Sequence, residues 1–106
     1  MTISVQTHDF EFAKELAQSA PAGVSASIER RGAKSFGTEY YGLVIVTLEF
    51  VRKAANAVIP NLFAAWLCAK CKDRPCTIDY RGEVIPKDQE AIRRLVEEVI
   101  EIGKND

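Results

Sequence analysis

Three kinds of hydrophobic spacing follow one another along this chain. Residues 2–6, TISVQ, alternate weakly and predict a short opening strand. Phe10, Ala13, Leu16, Ala17 and Ala20 then recur at spacings of three and four, which predicts a helix with one apolar face. Thr7 or Asp9 can cap it, and Glu11 sits in the first turn, where the helix dipole favours an anion. Pro21 and Gly23 end it. Val24, Ala26 and Ile28 alternate with Ser25, Ser27 and Glu29, the pattern of a half-buried strand.

RRGAKSFGTE, residues 30–39, is polar and punctuated by glycine and predicts a loop. The run YYGLVIVTLEFV follows, with residues 40–47 read as a buried strand. A continuous apolar run leaves a buried helix open as the alternative. From Glu49 to Lys72 the pattern is helical, and Pro60 must kink or divide it by removing an N–H and crowding the preceding turn. NLFAAWLCA is apolar nearly all the way round, so it is covered on several sides or forms an interface. Cys76, Ile78 and Tyr80 alternate with polar neighbours, Arg81-Gly82 can turn the chain, and EVI can pair back. Pro86 and Asp88 set up a last helix. Its stripe of Ile92, Leu95, Val96, Val99 and Ile102 lies opposite Arg93, Arg94, Glu97, Glu98 and Glu101. Gly103 suits the position just past its end. The expected order is β-α-β-β-α-β-β-α: one α+β domain of residues 1–106, a mixed sheet with about three helices packed on it.

Composition supports a folded domain and narrows its partners. The 106 residues include 47% hydrophobic and 27% charged residues, ordinary for a globular chain. A chain this size hides roughly 65% of its unfolded surface, enough for a core. The net charge of −1 offers no overall basic field of the kind that nucleic acid demands. The first ten residues lack the basic and apolar regions of a signal peptide. The longest uncharged run, residues 54–69, falls short of the ~20 apolar residues of a membrane span. These features lead us to expect a cytoplasmic protein with no membrane or nucleic-acid partner and with reduced cysteines.

Those cysteines carry the sharpest candidate chemistry. Cys68, Cys71 and Cys76 fall within nine positions, an odd count that fits a disulfide framework badly. As zinc ligands they need a fourth, and His8 is the only histidine, with Asp73 and Asp79 as substitutes. Against zinc, the Ala-Lys spacer between Cys68 and Cys71 suits a helix better than a tight knuckle. The favoured reading makes Cys68 a core residue, places Cys71 near a helix end and points Cys76 inward from a strand. A nucleophilic thiol is disfavoured as well, since a helix C-terminus carries the wrong end of the dipole for a thiolate. No cofactor or metal is therefore expected.

The remaining candidates are surfaces. GAKSFGT, residues 32–38, has the glycine separation of a phosphate loop but lacks the Lys-Ser/Thr that must follow the second glycine. Arg30, Arg31 and Lys34 form one basic cluster, and Lys70, Lys72 and Arg74 another; either could grip an acidic partner. Glu97, Glu98 and Glu101 form an acidic stripe whose simplest reading is a solvated helix face. Phe63, Trp66 and Tyr80 are expected in the core. The apolar run 62–69 makes a homodimer plausible.

The succession AWLCAKCKDRPCTIDYRGEVIPKDQEAIRRLVEEVIE joins an apolar helix, a basic helix end, an Arg-Gly hairpin and an amphipathic helix. Over residues 62–102 this layout resembles the effector-associated constant components, small adaptor domains encoded with bacterial conflict-system effectors. The resemblance implies an adaptor that recruits an effector, and it carries over no functional residue. In type, a small mixed-sheet domain of this kind is also similar to the immunity proteins that neutralise toxins. The expectation is a non-enzymatic protein that binds a toxin or effector, with a zinc-binding or enzymatic use of the cysteines as the alternative.

Overall fold

The computed structural model describes residues 2–31, 42–50 and 59–104. Its elements follow the expected order: β1 (Thr2–Thr7), α1 (Phe10–Gln18), β2 (Val24–Arg31), β3 (Leu43–Phe50), α2 (Pro60–Cys71), β4 (Cys76–Tyr80), β5 (Glu83–Ile85) and α3 (Gln89–Lys104). The five strands form one sheet in the order β2-β3-β1-β4-β5. All four pairings are antiparallel where a mixed sheet was expected. Connectivity supplies the reason. Each of the crossovers through α1 and α2 links strands that run the same way, and each skips one place in the sheet. β3 fills the gap between β1 and β2, and β1 fills the gap between β3 and β4. The result is a split β-α-β arrangement extended by the β5–α3 unit.

Register explains which residues enter the core. Val5 lies between Val46 and Ile78, and Ile3 faces Leu48. These side chains point to the helical face of the sheet and are fully buried. Phe12, Ala13 and Leu16 come down from α1, Phe63, Ala64 and Leu67 from α2, and Ile92, Leu95, Val96 and Val99 from α3, closing a single core. α1 packs over β2 and β3, whereas α3 packs chiefly on α2. The opposite sheet face carries Ser27, Thr47, Ser4 and Asp79 in one cross-strand row.

Element ends differ in places from those the pattern predicts. β3 covers 43–50, so Glu49 and Phe50 belong to the strand and not to a helix. Pro60 does not kink α2 but occupies its first turn, where a missing N–H costs nothing and the fixed φ suits the helix. Residues 51–58, which the pattern also reads as helical, lie outside the described residues. Gly103 lies inside α3, which continues to Lys104. The expected Arg81-Gly82 turn is present, with φ of 52° and 83°. Left-handed conformation at both central positions gives a hairpin turn whose twist matches its strands. The sequence 32–38 and Lys34 lie outside the described residues. No helix among the described residues is long and apolar enough to cross a membrane.

Candidate functional site

The cysteine turn is built from the end of α2 and the start of β4. Cys71 is fully buried and Cys76 nearly so, both within the core. The Cys76 thiol donates to the Cys71 carbonyl at 3.7 Å, and Cys68, half-buried on the preceding helical turn, donates to the Lys87 carbonyl at 3.7 Å. Burial, and then the neighbouring Cys76 sulfur, push the Cys71 thiol well above its ordinary range. A thiol held protonated in this way is a poor nucleophile. His8 lies elsewhere: it is exposed, and its Nδ1 is 3.3 Å from the Gly42 carbonyl on the β3 side of β1. Among the described residues no three or more His, Cys, Asp or Glu side chains come together with metal-holding geometry. Cys68, Cys71, Cys76 and His8 thus do not converge.

What the fold does bring together is basic side chains from distant parts of the chain, interleaved with the carboxylates of Glu11, Glu15, Glu29 and Asp73. β2 ends at Arg31, beside the start of β3; Val44 of β3 faces Thr7, and Thr7 faces Cys76 at the start of β4. This end of the sheet also receives the start of α1 and the end of α2. Arg30 and Arg31 therefore share one end of the molecule with Lys70, Lys72 and Arg74, some forty residues away in sequence. Register splits the first of them. Arg30 follows Val24, Ala26 and Ile28 in parity and points to the helical face, while Arg31 points to the open face. There the Arg31 Nε donates to Glu29 at 3.1 Å.

Two aromatic rings organise the cations on the helical side. The Arg30 guanidinium lies 3.4 Å from the Phe10 ring centroid, and Lys14 approaches the same ring at 5.6 Å. Arg74 lies 5.6 Å from the centroid of Phe12. Lys70 is ion-paired with Glu15 at 3.4 Å, and Lys72 is exposed at the C-cap of α2. Lys87 reaches the Arg74 carbonyl at 2.6 Å and ties the turn to the β5–α3 connection. Sequence reasoning places Phe10 on the apolar face of α1 but does not single out Lys14. Parity along β2 is the signal that could have found the pairing, because it places Arg30 on the side where α1 packs.

The acidic stripe is partly spent on its own helix. Arg93 bridges Glu90 and Glu97, both at 2.6 Å, while Glu98 and Glu101 are exposed further along α3, away from the basic end. Trp66 is half-buried, not fully in the core, and its indole N–H donates to Ser19 at 3.3 Å. The Tyr80 hydroxyl and Asp79 Oδ1 are buried without a hydrogen-bond partner among the described residues. The chain matches no family model, no curated protein and no solved structure.

Proposed function

We propose that this chain acts by binding another protein and performs no chemistry of its own, as an immunity protein that occludes a cognate toxin in a bacterial conflict system. The observation that carries this reading is the Arg30–Phe10 stack at the centre of a basic end assembled from α1, β2 and the α2–β4 turn. Arginine and aromatic side chains are the residue types on which interface energy concentrates. A guanidinium already resting on a ring loses less freedom when it meets a carboxylate. Among the described residues neither Arg30 nor Arg74 has an ion-pair partner, so both can meet acidic groups on a partner. The exposed Glu98 and Glu101 lie away from this end.

Capture from a native lysate on the tagged chain tests the reading. It should recover one stoichiometric protein whose retention is lost in the double variant Arg30→Glu, Arg74→Glu. A partner retained equally by this variant would contradict the assignment to the basic end. Recovery of no partner across several conditions would contradict protein binding itself.

A further inference from the structure

The three thiols follow one another through the α2–β4 turn. Cys68 and Cys71 are three residues apart on α2 and so lie on the same side of the helix. Cys71 ends that helix and Cys76 opens β4. Between them the chain forms a closed turn: the Arg74 N–H donates to the Cys71 carbonyl at 3.1 Å, and the Cys76 N–H donates to the Arg74 carbonyl at 2.8 Å. The turn folds the Cys76 side chain back, so that its thiol donates to the Cys71 carbonyl at 3.7 Å. The Cys71 and Cys76 side chains are also hydrogen-bonded to each other.

Burial differs along this series. Cys71 is fully buried and Cys76 is 8% exposed, whereas Cys68 is only half-buried. Cys68 is therefore the sulfur that a small reagent reaches first. Its thiol donates to the Lys87 carbonyl at 3.7 Å, and Lys87 spans the turn to the Arg74 carbonyl at 2.6 Å. The Lys87 charge favours a thiolate at Cys71, against the burial that opposes one. Core packing accounts for apolar bulk at 71 and 76, which alanine or valine would also supply. Two sulfurs in contact, with a more accessible third one helical turn away, supply in addition a route for thiol–disulfide exchange.

We infer that Cys71 and Cys76 are an oxidative modification site, joined as a disulfide by a low-molecular-weight disulfide such as oxidised glutathione, with Cys68 as the point of entry. Three exchanges accomplish this. The Cys68 thiolate attacks oxidised glutathione, forms a mixed disulfide and releases one glutathione thiolate, which takes up a proton. Cys71 gives its proton to solvent, and its sulfur displaces the second glutathione from Cys68. Cys76 then attacks Cys71 and returns Cys68 to the thiol. In sum, two protein thiols lose two electrons and two protons, and one oxidised glutathione becomes two glutathione thiols. The strongly held proton on Cys71 makes the second exchange the slow one. The bond ties the end of α2 to the start of β4. It forms without a partner protein and stands whether or not the basic end docks one.

The test is incubation of the folded chain with excess oxidised glutathione at about pH 8, near the usual thiol pKa. Acid quenching, alkylation of the remaining thiols and mass spectrometry of proteolytic peptides then locate every cysteine. The chain unfolded in urea and treated alike is the control for the reagent. The folded chain should lose two hydrogens, carry the link between Cys71 and Cys76, leave Cys68 open to alkylation, and return to three free thiols with dithiothreitol. Cys68→Ser should form the same bond at least about tenfold more slowly. An oxidised control beside a folded chain that keeps three thiols would overturn the site. So would a final link to Cys68, a stable glutathione adduct there, a link between two molecules, or equal rates in wild type and Cys68→Ser. The wild-type mapping decides the matter should the variant not fold.

Discussion

The Arg30 guanidinium stacks on the Phe10 ring at 3.4 Å, joining the edge strand of the sheet to the first turn of α1. It is the contact around which the basic end is arranged, and it also covers the exposed side of an apolar ring. Arg30→Ala should therefore lower stability by roughly 0.5–1 kcal/mol. In a thermal melt this is a drop of about 2–6 °C. Phe10→Leu keeps apolar bulk but removes the ring, and a double-mutant cycle between the two positions should give a coupling near 0.5 kcal/mol. A coupling of zero would mean that the stack holds nothing in place.

The Cys71 thiol, raised by burial and by Cys76, makes stability depend on pH in a definite direction. In the unfolded chain this thiol ionises near pH 8.5. In the folded chain it keeps its proton to higher pH. Above about pH 8.5 the unfolded state therefore binds fewer protons than the folded one, and stability falls as pH rises, by at most about 1.4 kcal/mol per unit. Denaturant titrations from pH 7 to pH 10 should show this fall, and Cys71→Ala should flatten it. An equal slope in the variant would show that another group is responsible. In the same samples, alkylation should reach half-buried Cys68 before Cys71, and chelators should leave the melting midpoint unchanged.

Asp9 accepts a hydrogen bond from the Phe12 backbone N–H at 3.1 Å and is the N-cap of α1. Asp9→Ala should cost about 1 kcal/mol, while Asp9→Asn, which retains an acceptor, should be close to neutral. Denaturation midpoints at constant m-value report the difference. Equal losses from the two variants would point to the charge of Asp9, not its capping bond.

Asp79 sits in the middle of the open sheet face with one carboxylate oxygen buried and lacking a partner among the described residues. Aspartate is a poor strand residue, and an unsatisfied buried oxygen carries its full desolvation penalty. Asp79→Thr should raise stability by about 1 kcal/mol, read as a higher urea midpoint. A loss of stability would mean that the carboxylate is held by a contact that Thr cannot replace.

Periodicity carried much of the element order, because α1, α3, β2 and β4 each show one clear repeat, whereas α2 is apolar nearly all the way round. The region around Phe50 resisted, since a continuous apolar run has no period to separate strand from helix. Pro60 marks a break in the sequence, but its place in the first turn of α2 shows only in the structure. The antiparallel sheet was not legible at all, because strand order is set by which gap each crossover leaves. The basic end was half legible. Its arginines were visible, but their union depends on strand pairing across β3, β1 and β4, and their footing on Phe10 depends on side-chain parity.

Association kinetics between the chain and the protein it captures test the central claim most directly. Wild-type protein should associate at a rate that falls steeply with added salt, and Arg30→Glu with Arg74→Glu should lower that rate at least about tenfold at low salt while flattening the salt dependence. An association rate and salt dependence identical in wild type and variant would contradict the account.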